Sequence, residues 1–186
     1  SLAAATVPAV STTASNATSS KKTTAKDDTI NSAASTALVG TGAAIDGGLG
    51  ADTLNITLAT QGLLDTLNAG SGTGVAVTNV ETININVTTS GGQVSVTNTL
   101  PTTMSTLNVS ASNGNGAVAA TTTAAGQSIT VTNTATTTAS TITVSNFANQ
   151  TITTGSAGDG ITVSGGAAST GISVNAGAGA DTVTIS

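Results

Sequence analysis

Ile161-Thr162-Val163-Ser164-Gly165-Gly166-Ala167-Ala168-Ser169-Thr170-Gly171-Ile172-Ser173-Val174 holds the pattern that decides the fold. An apolar, polar, apolar triplet is followed by a glycine-bearing turn, and the triplet returns at Ile172. Alternation of this kind puts the two branched aliphatics on one face of an extended segment and the hydroxyl on the other. Outward from this stretch the triplet recurs as Leu54-Asn55-Ile56, Ile83-Asn84-Ile85, Val94-Ser95-Val96, Leu107-Asn108-Val109, Ile129-Thr130-Val131, Ile142-Thr143-Val144 and Val183-Thr184-Ile185. From Ile83 onward most intervals between successive starts are close to about 11 positions or twice that, so the chain is a degenerate repeat. Turn residues fill the intervals, as in Ser90-Gly91-Gly92, Ser112-Asn113-Gly114-Asn115-Gly116, Ala125-Gly126 and Gly155-Ser156-Ala157-Gly158.

Two all-β architectures use such strands. A right-handed β-solenoid, a β-helix-like stack of short strands, would pair them in parallel with Asn and Thr ladders along the axis. An antiparallel β-sandwich would join them by hairpins. Asn-Gly hairpin signals are confined to the Asn113–Gly116 loop, which favours the solenoid. Only Gln61 to Asn68, with Leu63, Leu64 and Leu67 on one side, offers a short helical turn. The reading divides the chain into a low-complexity Ser/Thr/Ala tail or assembly arm, residues 1–26, and a β-repeat domain, residues 27–186. Within the tail, Leu2 to Val10 reads either as a strand donated to another copy or as a linker.

Composition restricts what the domain does. Charged residues make up 6% and aromatic residues 1%, with no His, Cys, Trp or Tyr, so a conventional aromatic core is excluded and narrow rows of Val, Ile and Leu take its place. A net charge of −5, with Lys21, Lys22 and Lys26 as the entire basic complement, argues against a nucleic-acid partner. No apolar run approaches the roughly 20 residues of a membrane helix, so the chain is not expected to span a bilayer. Acyl transfer lacks a nucleophile and base pair, and a glycosidase cleft lacks aromatic stacking platforms, so no enzyme is expected.

The chemistry-bearing segment is Gly47-Gly48-Leu49-Gly50-Ala51-Asp52-Thr53-Leu54-Asn55, which fits G-G-x-G-x-D-x-U-x without departure. At this chain's composition roughly 0.002 chance matches are expected. Its glycines permit a tight turn with carbonyls aimed at an ion, and its aspartate supplies a hard anionic oxygen, so Ca2+ is the expected ligand. The alternative is a glycine-rich turn before a strand, with no ion. Asp46, Asp52 and the backbone of Gly47, Gly48 and Gly50 form the best candidate site, with Asp27 or Asp28 as partner from the preceding coil. A second site is expected around Asp181, completed by Asp159, because Ala176-Gly177-Ala178-Gly179-Ala180-Asp181-Thr182-Val183-Thr184 departs from the pattern only at its first glycine. Asp52 and Asp181 stand far apart along the chain, so isolated sites are expected and not a continuous row of ions.

Together with Val80-Glu81-Thr82-Ile83-Asn84-Ile85 and the monotonous, nearly uncharged composition, the nonapeptide resembles bacterial surface-layer proteins and related large secreted surface proteins of the RTX type. The resemblance covers roughly Asp27 to Ser186. It implies a calcium-dependent structural protein of the extracellular bacterial cell surface, exported in one step and self-assembling into a homo-oligomeric lattice or filament. Cell-surface glycan or lipopolysaccharide would be its anchoring partner. The chain lacks the tandem nonapeptide array of that family. The competing expectation is a binding module, either a surface adhesin repeat or an ice-binding solenoid using Thr-x-Thr ranks such as Thr141-Ile142-Thr143, Thr151-Ile152-Thr153 and Thr182-Val183-Thr184. The irregular gaps count against the ice-binding form.

Overall fold

The computed structural model describes residues 11–14, 21–22, 25–32, 44–58, 63–64, 76–88, 93–96, 101–111, 117–122, 125–135, 137–167 and 169–186. Short strands carry the fold: β1 Ser11–Ala14, β2 Lys21–Lys22, β3 Thr29–Ser32, β4 Ala44–Asp46, β5 Thr53–Leu58, β6 Leu63–Leu64, β7 Ala76–Thr78, β8 Thr82–Val87 and β9 Gln93–Val96. The series continues through β10 Thr106–Ala111, β11 Val118–Thr121, β12 Ser128–Asn133, β13 Thr141–Ser145, β14 Asn149–Thr153, β15 Gly160–Ser164, β16 Gly171–Asn175 and β17 Thr182–Ile185. They stack as a β-solenoid, and every pairing described is parallel. The antiparallel sandwich is thereby set aside.

From β8 to β17 the strands alternate strictly between two sheets, one of eight strands (β1-β3-β5-β8-β10-β12-β14-β16) and one of six (β17-β15-β13-β11-β9-β6). Before that point the strands of a three-stranded sheet, β2-β4-β7, fall in chain order between successive strands of the eight-stranded sheet. The sequence repeat is therefore half a coil, one strand and one corner, and a whole coil returns the chain to the same sheet. Thr106 pairs with Ser128, and Ser128 in turn with Asn149. From Ile83 onward the two longest intervals between triplets, Leu107 to Ile129 and Ile142 to Ile161, each conceal a strand. In β11 the outward residue is Ala119, and in β14 an inward position holds Gln150, so neither shows the apolar, polar, apolar signature.

Register fixes the core. Ile30, Leu54, Ile83, Leu107 and Ile129 stand above one another, and Ile56, Ile85, Val109, Val131 and Ile152 form a second column. All ten are at most 2% exposed. Each such aliphatic contributes about 1.5–3 kcal/mol through burial, and β-branched shapes suit the pleat. Val118, Ala120, Ile142, Val144, Ile161 and Val163 face them from the six-stranded sheet, with Phe147 and Met104 filling corners.

On the outer face of the eight-stranded sheet, Asn31, Asn55, Asn84 and Asn108 form a ladder. Each later amide donates to the carbonyl oxygen of the earlier one, at 2.9, 2.8 and 2.8 Å. The same rank continues through Thr130, Thr151 and Ser173. On the six-stranded sheet Thr143, Thr162 and Thr184 also stand in one rank. Irregular gaps along the chain therefore do not spoil register, because the corners absorb them.

One sequence expectation needs amendment. Leu63–Leu64 within Gln61–Asn68 is strand β6, paired with Gln93 and Val94, and among the described residues there is no helix. Strand pairing also extends into the segment before Asp27, since β1 pairs with β3 and β2 with β4. Leu2–Val10 lies outside the described residues.

Asn84 both donates and accepts within the ladder. Asn84→Ala is expected to lower unfolding stability by about 1–2 kcal/mol. Asn86→Ala, at an exposed position of the same strand, should stay within about 0.5 kcal/mol. Urea denaturation of the two variants checks the difference.

Candidate metal centre

The Gly47–Asp52 turn leads from β4 into β5. Asp46 Oδ1 accepts from the Gly48 amide at 3.1 Å, closing an Asx turn, and from Asn79 Nδ2 at 2.8 Å. Gly48 and Gly50 have φ of 88° and 129°, where a side chain is strained. Neighbouring coils press on the turn from both sides. A Cβ on Gly50 would lie 2.6 Å from the Lys26 carbonyl of the preceding coil, and one on Gly47 would collide with the Asn79 carbonyl oxygen of the following coil. Asn79 itself sits at φ 52°, a conformation asparagine tolerates better than most residues.

The C-terminal turn repeats this geometry. Asn175 Oδ1 accepts from the Gly177 amide at 3.2 Å, and Gly177 and Gly179 have φ of 78° and 129°. A Cβ on Gly179 would collide with the Ala157 carbonyl oxygen. The shared rule is Asp or Asn, then glycine two and four positions on, then Asp. It matches residues 46–52 and 175–181 at both backbone and sequence level.

Asp28, Asp52, Glu81, Asp159 and Asp181 stand at coil corners immediately before strands, and most of the described acids reach toward an amide of an adjacent coil. Asp52, 1% exposed, accepts the Asp28 amide on Oδ1 at 2.7 Å. The amide of Asp52 in turn donates to Glu81 Oε2 at 2.7 Å, while Asp27 Oδ1 accepts from the Ala51 amide at 2.9 Å. On the other sheet, Asp159 Oδ1 accepts from the Ser140 amide at 2.7 Å, and Asp181 Oδ1 accepts from the Asp159 amide at 2.8 Å. Bonds of an ionised acceptor to a main-chain amide are roughly twice as strong as neutral ones.

Two of the buried aspartates each have one oxygen left over. Asp52 Oδ2 and Asp159 Oδ2 are buried without a hydrogen-bond partner. Asp52 Oδ2 lies on the Gly47 side of the turn, 2.8 Å from where a Gly47 Cβ would stand and facing the same space that the Asn79 carbonyl enters. A buried anionic oxygen without a donor is costly unless a proton or a cation neutralises it. Burial pushes the Asp52 carboxyl above its usual range, the Asp28 amide pulls it back, and the charges of Glu81, Asp28 and Asp27 raise it further.

The residues fit a hard cation in part. The orphaned oxygen and the nearby carbonyl are ligands of the right kind, but among the described residues no three acidic side chains converge on one point. A cation at this corner would be held by Asp52 Oδ2 and complete its shell from main-chain carbonyls, chiefly that of Asn79. Asp27, Asp28, Asp46, Gly47, Gly48, Gly50 and Asp52 are brought together at one corner, and Asp159 and Asp181 at another. The two motifs do not merge, because Asp52 precedes a strand of the eight-stranded sheet and Asp181 a strand of the six-stranded sheet. Glu81 is the member missing from the residue-based set. Its signal was present: Glu81-Thr82-Ile83-Asn84 repeats Asp52-Thr53-Leu54-Asn55 in residue class, and the two segments pair in register. No protein family, curated protein or solved structure matches the chain.

Gly126 has φ 87° but open space where a Cβ would be. Gly126→Ala should therefore cost about 1–2 kcal/mol from strain alone. Gly50→Ala, which adds a collision with Lys26, should cost distinctly more in the same thermal unfolding assay.

The folded chain holds the Asp52 proton more tightly than the unfolded chain does. Without a cation, the stability contributed here is full below the ordinary carboxylate pKa and is lost as pH rises through the raised value. In chelator, urea midpoints should fall as pH rises above the ordinary aspartate pKa of about 4. The fall should be smaller in Asp52→Asn.

Proposed function

We propose that the protein is a structural component of a bacterial extracellular surface layer or filament, self-assembling and stabilised at its corner turns by Ca2+. The observation that carries this reading is the unpartnered, buried Asp52 Oδ2 inside a turn whose sequence meets every position of the calcium nonapeptide. The resemblance to RTX-type surface-layer proteins supplies the assembly and the location. The fold is compatible with both, since a solenoid offers long faces and ends for lateral and axial contacts.

Physical logic links calcium to assembly. A cation at Asp52 neutralises a charge that burial makes expensive and ties the Gly47–Asp52 turn to the Asn79 turn of the next coil, so the corner becomes rigid where calcium is plentiful. The partners are further copies of the same chain, with cell-surface glycan or lipopolysaccharide as the anchor.

A binding-module reading, an adhesin or an ice-binding face, is favoured by one observation: hydroxyl ranks such as Thr143, Thr162 and Thr184 stand in register on an uncharged face. The two readings separate in solution. In light scattering across a calcium titration, a surface-layer protein grows in particle size and shrinks again in chelator, and Asp52→Asn shifts the growth to at least about tenfold higher calcium. A particle of constant monomer size at all calcium concentrations would overturn the assembly reading in favour of the binding module.

A further inference from the structure

We propose that the solenoid has a cation-independent middle flanked by cation-dependent coils, so that calcium orders β5 and β17 without being needed for the coils between them. This rests on the reading of the two motif turns as cation sites.

All eight acids lie at or before Glu81 or at or after Asp159, and the whole interval from Thr82 to Gly158 contains none. The corner position itself continues through that interval with neutral occupants. Immediately before successive strands of the eight-stranded sheet stand Asp28, Asp52 and Glu81, then Ser105 and Gln127. These neutral residues find partners inside the chain. Gln127 Nε2 donates to the carbonyls of Pro101 and Met104 at 2.8 and 2.9 Å, and its Oε1 accepts from the Thr122 hydroxyl. Asn133 Nδ2 donates to Ser140 Oγ at 2.7 Å, and Asn133 Oδ1 accepts from the Ala135 amide at 3.1 Å.

Among the described residues, the two unpartnered buried carboxylate oxygens belong instead to the outer segments, Asp52 before β5 and Asp159 before β15. The third unpartnered oxygen, Gln150 Oε1, lies in the middle but belongs to a neutral amide whose Nε2 donates to Phe147 and Ser164, so no charge requires compensation. Apolar burial does not separate β5 from the middle, since Leu54 and Ile56 are as buried as Leu107 and Ile129, so the division rests on the corners. The middle satisfies its corner residues from within, while the flanking coils contain corners with a buried, unpartnered carboxylate oxygen.

Hydrogen–deuterium exchange of the full chain, with calcium and then with chelator, tests this. Peptides covering Thr53–Leu58 and Thr182–Ile185 are expected to exchange at least about tenfold faster in chelator, with Thr106–Ala111 and Ser128–Asn133 changing less than about twofold. Asp52→Asn should abolish the response of the first peptide and leave that of Thr182–Ile185 intact, and Asp181→Asn should do the reverse. Calorimetric titration with calcium runs in parallel. Binding heat with a uniform loss of protection along the chain overturns the division into middle and flanking coils, while leaving the sites in place. No binding heat and no change in either flank overturns the reading of the turns and the inference together.

Discussion

Each coil of this protein is held to the next by main-chain hydrogen bonds directed along the axis, and that single arrangement constrains everything else. The bonds join successive coils only where strands meet in parallel and in register. A slip by a single position would carry every Ile, Leu and Val of a strand from the interior to the outer face. Register is consequently enforced twice, by the aliphatic columns inside and by the Asn31–Asn55–Asn84–Asn108 ladder outside. Chain length between strands is free by comparison. The excursion from Thr53 to its partner Thr82 is longer than that from Ser128 to Asn149, yet both pairs sit in unbroken parallel register.

Much of the fold was legible because small alternating triplets admit few other arrangements. What remained hidden had physical causes. Strand β11 escapes because Ala119 faces outward where the pattern has a polar residue, and alanine does not distinguish the two faces. Strand β14 escapes because Gln150 occupies a position in the column between Ile129 and Ile172, held by hydrogen bonds that its Nε2 donates to the carbonyls of Phe147 and Ser164 and that no local pattern announces. Leu63–Leu64 looked helical from three spaced leucines, but parallel pairing with β9 overrides a weak local preference.

The candidate site was legible in its turn and less so in its neighbours. Gly48, Gly50 and the matching Gly177 and Gly179 adopt the left-handed conformations that the glycine spacing demands. Contacts from other coils could not be read from the motif. Lys26 and Asn79 press on the turn from opposite sides, and Glu81 receives the Asp52 amide. Those contacts depend on how much chain each coil spends before returning, a quantity that varies from coil to coil. The aspartates also turn out to serve first as acceptors for main-chain amides, with one oxygen of Asp52 and one of Asp159 left over for any other ligand.

The Gly47–Asp52 turn is a spacer of fixed thickness. Gly50 touches the coil before it and Gly47 the coil after it, both at distances that exclude even a methyl group. Elsewhere the corners differ in length without disturbing the stack. Insertions and deletions are therefore tolerated unevenly around the perimeter: the variable corners are where a foreign peptide or a new loop could be grafted, and the turn between β4 and β5 is where the length of the chain is not negotiable.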